Sequence, residues 1–170
     1  MRYLLPCLFI LAALSCKKNE NIFEAQKRPA DESTEAIIFY TLLADSLSAK
    51  AIDALRVGDV TGIKVKYLSG RECRYFEYDA EKSLVIRTIS QLPFTPYSKY
   101  SDTLCRKIND EDLTRLRRTI SSTEYENSSS FWNNDSETVD VYECIKSPFR
   151  HTLVIDRKSN HILHRIELLG

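Results

Sequence analysis

Hydrophobic and polar positions change their rhythm several times along the chain. An uncharged apolar run, Leu4–Leu14, opens it behind a single basic residue, Arg2. Residues 17–34 (KKNENIFEAQKRPADEST) are polar and charged, with one isolated apolar pair and a break at Pro29. From Glu35 to Val57, Phe39, Leu43, Leu47, Ala51 and Leu55 recur every fourth position, flanked by Ile38, Leu42 and Ile52. That spacing lines one face of a helix, which Gly58 would end. The run Ile37-Ile38-Phe39-Tyr40 is rich in strand formers, so a strand before a break near Ser46 is the alternative, and the helical pattern is cleanest over SAKAIDAL.

Beyond Gly58 the period shortens to two. Ile63–Leu68 alternates and Ser69-Gly70 turns the chain. Cys73–Tyr78 and Leu84–Ile89 flank a hairpin connection, Asp79–Lys82. Ser90–Thr103 is a loop containing Pro93 and Pro96, which a central strand would not hold. Asn109 or Asp110 can cap a second helix whose apolar stripe is Leu113, Leu116 and Ile120, with Arg115, Arg117 and Arg118 in its later turns. Residues 121–137 read as a long polar loop. Val139–Lys146, Thr152–Asp156 and Ile162–Leu168 close the chain as strands.

This order predicts an α+β domain over residues 35–170. Its antiparallel sheet has about six strands in two meanders, with two helices packed on one face. The order fits either an αβββ duplication or simple economy of α+β architecture. The last stretch, HTLVIDRKSNHILHRIEL, resembles the terminal hairpin of PepSY-like and beta-lactamase-inhibitor-protein-like domains, in which a strand ends in Asp, turns, and returns apolar. Those domains repeat a helix-plus-antiparallel-sheet unit. Where they usually have Thr-Gly in the turn, this chain has Ser159-Asn160, and Asn tolerates the left-handed conformation such a turn needs.

The leader changes the picture most. Eleven apolar residues are roughly half of a bilayer span, so Leu4–Leu14 reads as the core of a secretory signal and not as a transmembrane helix. Ala13-Leu14-Ser15 followed by Cys16 resembles a bacterial lipoprotein signal. The resemblance implies removal of residues 1–15, lipidation of Cys16, and a place in the bacterial cell envelope, most simply at the outer membrane. Residues 16–34 then form a flexible tether that would hold the domain about 20–25 Å from the bilayer.

Arg2 is the only charge in the leader, so 23 basic and 24 acidic side chains remain, a net charge of −1. Interspersed signs argue against a nucleic-acid partner, whose phosphates need clustered cations. Cys73, Cys105 and Cys144 are left for the exported domain. They fit either one disulfide in any of three pairings or three buried thiols. Their spacing matches no metal or redox motif, and the sequence implies no cofactor.

Candidate chemistry is sparse. If Arg157 pairs with Asn160, then His164 faces Leu153 and His151 faces Ile166, so both imidazoles share one sheet face, while His161 sits beside Asp156. That placement suits a core histidine better than a metal site. No serine lies in a strained nucleophile turn, both strand cysteines are apolar in setting, and Glu77, Glu143 and Glu167 read as solvated strand charges. With four glycines no phosphate loop can be built. A non-enzymatic binding role fits better. Phe131 and Trp132, in the polar tract, either fold back to cover the sheet or are partner-binding anchors, joined by Tyr97 and Tyr100 on the Pro-containing loop. The expected partner is another envelope or secreted protein, met in an inhibitor-like or immunity-like manner. The alternative is a carbohydrate or small ligand stacked on Trp132 and Phe131, and a hydrolase has least support.

Overall fold

β-Branched and aromatic residues dominate Ala36–Leu42 (AIIFYTL), and this segment is a strand, β1, in the computed structural model, which describes residues 36–91, 105–135, 137–146 and 148–169. The leader, Cys16, the tether, Tyr97 and Tyr100 lie outside the described residues. Of the two readings of 35–57, the strand before a break near Ser46 is the one adopted, and a helix over the whole segment is not. A 3-10 turn, Leu43–Asp45, follows β1, and the helix α1 is confined to Ala49–Leu55. Ser48 caps α1 by accepting from the Ala51 amide, and Arg56, in the left-handed conformation, ends it two residues before Gly58. Four-residue spacing survives the break because Leu43, Leu47, Ala51 and Leu55 all reach the same core.

β2 (Thr61–Tyr67) and β3 (Glu72–Asp79) form a hairpin whose turn uses Gly70 at positive φ. The next segment departs from expectation. Lys82–Gln91 is a helix, α2, and not the strand read at 84–89. Its buried residues are Val85, Thr88 and Ile89, the i, i+3, i+4 pattern of a helix face. A short edge strand, β4 (Arg106–Lys107), precedes α3 (Asp110–Arg117), capped by Asn109. The polar tract expected as loop forms two short helices, α4 (Ser122–Asn127) and α5 (Ser129–Trp132). β5 (Val139–Lys146), β6 (Phe149–Asp156) and β7 (His161–Leu168) complete the chain.

All seven strands join one antiparallel sheet in the order β1-β2-β3-β7-β6-β5-β4. The α+β class with an antiparallel sheet is as expected. The strand count and the repeated αβββ unit are not, because one expected strand is α2, β1 takes its place in the first meander, and β4 is added as a seventh strand. Nor do the helices share a face. α1 and α2 cover one side, packing on Phe76, Tyr78, Leu153, Ile155, Ile162 and Ile166. α3 and α5 cover the other, over Val65, Tyr75, Val141, Val154 and Leu163. The final hairpin has the expected register, with Leu153 opposite His164 and His151 opposite Ile166. A disulfide joins Cys105 to Cys144, and Cys73 is a buried free thiol.

Candidate functional site

The face under α3–α5 carries a sealed network of charges. Arg165 on β7 and Glu124 on α4 both have fully buried side chains and lie 3.3 Å apart. Tyr67 and Tyr75 donate their hydroxyls to the two Glu124 oxygens, and Arg165 Nε donates to the Tyr75 hydroxyl at 2.9 Å. Arg165 also reaches Glu167 at 2.8 Å and the Cys73 sulfur at 3.1 Å. Arg71 bridges Glu167 and Glu124, and from Glu167 the pairing continues through Arg150 to Glu143, then through Arg106 to Asp112 on α3. Glu143 and Glu167 are thus not solvated strand charges, because α3 and α4 roof the alternate positions of β5 and β7.

Burial, and after it the Glu124 charge, holds the Tyr67 hydroxyl above its ordinary range. Burial likewise pushes the Cys73 thiol up to about 12, against the pull of Arg165, so it is no thiolate nucleophile at neutral pH. Every member of the inner network is used in pinning the short helix α4 to the sheet. It is a lock, closed to solvent.

On the opposite face, His151 Nδ1 lies 3.1 Å from His164 Nε2, whose Nδ1 lies 3.0 Å from the Tyr78 hydroxyl. Both imidazoles are fully buried. Burial lowers the His164 pKa to about 3 and also lowers that of His151, to which the His164 and Lys146 charges add. Two neutral rings therefore share a proton inside the core. His161 meets Asp79 on β3 at 3.1 Å instead of Asp156, whose carboxylate accepts from the Lys158 and Ser159 amides of the turn. Among the described residues no group of three His, Cys, Asp or Glu side chains is placed to hold a metal ion. A concavity of about 220 Å³ lies beside α5, where Ser130 donates to Glu77. No imidazole lines it, so the serine has no general base of the usual kind.

Phe131 and Trp132 do not stand out from a polar loop. Both are buried, at 3% and 1% exposure. Their rings meet edge to face with centroids 4.7 Å apart, and Tyr75 packs on each. The indole N–H donates to Ser128 one turn back at 2.8 Å, which removes the cost of burying it. Arg117 is half-buried and donates to the Trp132 carbonyl, so it is not part of a solvated basic face. These aromatics cover the sheet and offer no ring face to a partner.

The exposed apolar surface lies elsewhere, on β1. Ile37, Phe39, Tyr40 and Leu42 are four of the six large hydrophobic side chains that are exposed among the described residues, and Tyr40 is 87% exposed. β1 pairs with β2 over all seven residues, Ala36 opposite Tyr67 through Leu42 opposite Thr61, and no described strand lies beyond it. Leu43 anchors its end, donating its amide to Val60 O and burying its side chain completely. The two edges of the sheet are built differently. β4 is two residues long and both are cationic, which is how proteins blunt an edge. β1 is seven residues long and carries no charge, no proline and no glycine. Its outward N–H and C=O groups form a template for another strand, apart from the Leu42 amide, which donates to the Asp45 carboxylate at 3.3 Å.

Beneath β1, Gly62 permits a close approach. A Cβ there would lie 2.1 Å from the Tyr75 carbonyl oxygen and 2.4 Å from the Phe76 ring. Glycine thus lets β2 sit tightly on β3. The edge was missed from sequence as a site, although the run of strand formers at 37–40 was its signal. No protein family, characterised protein or solved structure matches this chain significantly.

Proposed function

We propose that the protein is a lipid-anchored cell-envelope binding module that recognises another envelope or secreted protein, in an inhibitor-like or immunity-like manner, by pairing that protein's extended segment with β1. The observation that carries this reading is the uncharged seven-residue edge strand with its four exposed apolar side chains. Strand addition of this kind draws affinity from main-chain hydrogen bonds and specificity from alternate side chains. With residues 16–34 read as a tether, β1 would follow it directly in the chain, within reach of proteins at the same membrane. The buried charge network and the buried histidines serve the scaffold in this reading.

The test is photo-crosslinking in intact cells from a reactive amino acid at Phe39, with Lys158 in the β6–β7 turn as the control position. A partner joined at Phe39 and not at Lys158, identified by mass spectrometry, supports the reading. Equal yields at both positions would overturn it. Cys16→Ser should release the protein from the membrane fraction, and unchanged fractionation would remove the anchor from the proposal.

A further inference from the structure

Charge around β1 specifies what can pair with it. Residues 37 and 39 of β1 lie on the face opposite to that of 36, 38, 40 and 42. On the first face their register partners are Lys66 and Lys64 of β2. Lys64 leans outward, its ammonium 5.3 Å from the centroid of the Phe39 ring. Among the described residues neither lysine has a carboxylate within ion-pair distance. Glu72, opposite Lys66, is engaged by Arg74 Nε at 2.7 Å. β1 itself offers no anion, and the nearest one along the edge is Asp45, which accepts from the Leu42 amide at the end of the strand, away from Lys64 and Lys66 in the register. A strand added one spacing beyond it, about 4.8 Å, would bring carboxylates on this face to within reach of the Lys64 ammonium across Phe39. On the other face the same strand would meet Ile38, Tyr40 and Leu42, which are apolar apart from the tyrosine hydroxyl.

We propose that β1 accepts an extended segment of another protein in which acidic and apolar residues alternate, the acidic ones on the side of Lys64 and Lys66 and the apolar ones beside Ile38, Tyr40 and Leu42. This rests on the reading of β1 as the docking edge. A second copy of the chain fits less well. Its β1 brings no carboxylate to either lysine, and it sets Lys64 and Lys66 of the two copies on one shared face.

The experiment uses the isotopically labelled full chain in detergent and three capped seven-residue peptides that alternate valine with glutamate, glutamine or lysine. At millimolar peptide the glutamate form should shift the amides of residues 37–42, Lys64 and Lys66. It should bind about tenfold tighter than the lysine form at low salt, as expected for two exposed ion pairs gained against two like-charge contacts. Added salt should shrink that ratio, and the double variant Lys64→Glu, Lys66→Glu should invert the order. Alternate N-methylation of the glutamate peptide should abolish the shifts, because it blocks the backbone ladder and keeps every side chain. Equal shifts from all three peptides overturn the acidic specification and leave the docking edge standing. No β1 shift from any peptide overturns both. Shifts of β1 amides that grow with protein concentration alone identify a second copy as the occupant and overturn the proposal.

Discussion

Acidification should weaken this fold well before its carboxylates titrate, because of His151 and His164. Both rings are fully buried and bonded to each other, and burial lowers the pKa of each, His164 to about 3. In the unfolded chain each has a pKa of about 6.5. As pH falls below that value the unfolded state takes up protons that the folded state refuses, so stability is lost from pH 6.5 downward until the folded rings themselves titrate. Linkage gives about 1.9 kcal/mol per histidine between pH 7 and pH 5, hence about 4 kcal/mol for the pair, a large part of the ~5–15 kcal/mol available to a domain. Stopping at pH 5 keeps Asp and Glu largely ionised in both states. The assay is urea unfolding of the Cys16→Ser protein at the two pH values, beside the His151→Gln, His164→Gln double variant. The variant should lose most of the pH dependence whatever its absolute stability. A wild-type difference below about 1 kcal/mol, or an undiminished difference in the variant, would refute the reasoning. Imidazole resonances of the folded protein give a second readout and should stay in their neutral positions down to pH 5.

Other expectations follow from single features. Arg165→Met should destabilise the fold by about 3–5 kcal/mol, measured by chemical denaturation, since it removes the fully buried counter-charge of Glu124 and leaves only Arg71, at 3.5 Å, to pair with it; adding Glu124→Leu should recover part of that loss. Opening the Cys105–Cys144 bridge by double serine substitution should lower stability by up to about 4 kcal/mol in the chain-entropy model for its 39-residue separation. In the folded state Cys73 should resist alkylation at pH 8, and label should enter only on unfolding. Gly62→Ala should cost about 1–3 kcal/mol in thermal or urea unfolding, because the new methyl meets the Tyr75 carbonyl, a backbone atom that cannot swing aside.

Much of the second half of the fold was legible, and the reason is visible in its hairpin. A four-residue turn at 157–160 sets a register that buries Leu153, Ile155, Ile162 and Ile166 together on one face and Val154 with Leu163 on the other. α2 was not legible. Leu84, Val85, Ile86 and Ile89 satisfy a period of two and a period of 3.6 within so short a run, and only the neighbours Thr88 and Ile89, buried side by side, decide. Arg165 and Glu124 were missed for a different cause. A charge at an alternate strand position reads as solvated unless something roofs it, and the roof here is a six-residue helix in a tract of serine and asparagine. Phe131 and Trp132 were misplaced by the same tract, since Ser128 supplies the indole with its partner. The candidate edge lay between these extremes. Strand formers at 37–40 announce β1, but its standing at the end of the sheet depends on where β3 and β7 meet, which no local pattern states.

The unequal edges also bear on stoichiometry. A sheet that recruits strands at both margins can polymerise, each copy handing the next a fresh template, and ends as a fibre. Here the far margin is two cations long, Arg106 and Lys107, held by Glu143, Asp112 and Asp140. If β1 takes up a strand as proposed, the described far margin offers no matching template, so the expected product is a one-to-one complex and not a filament.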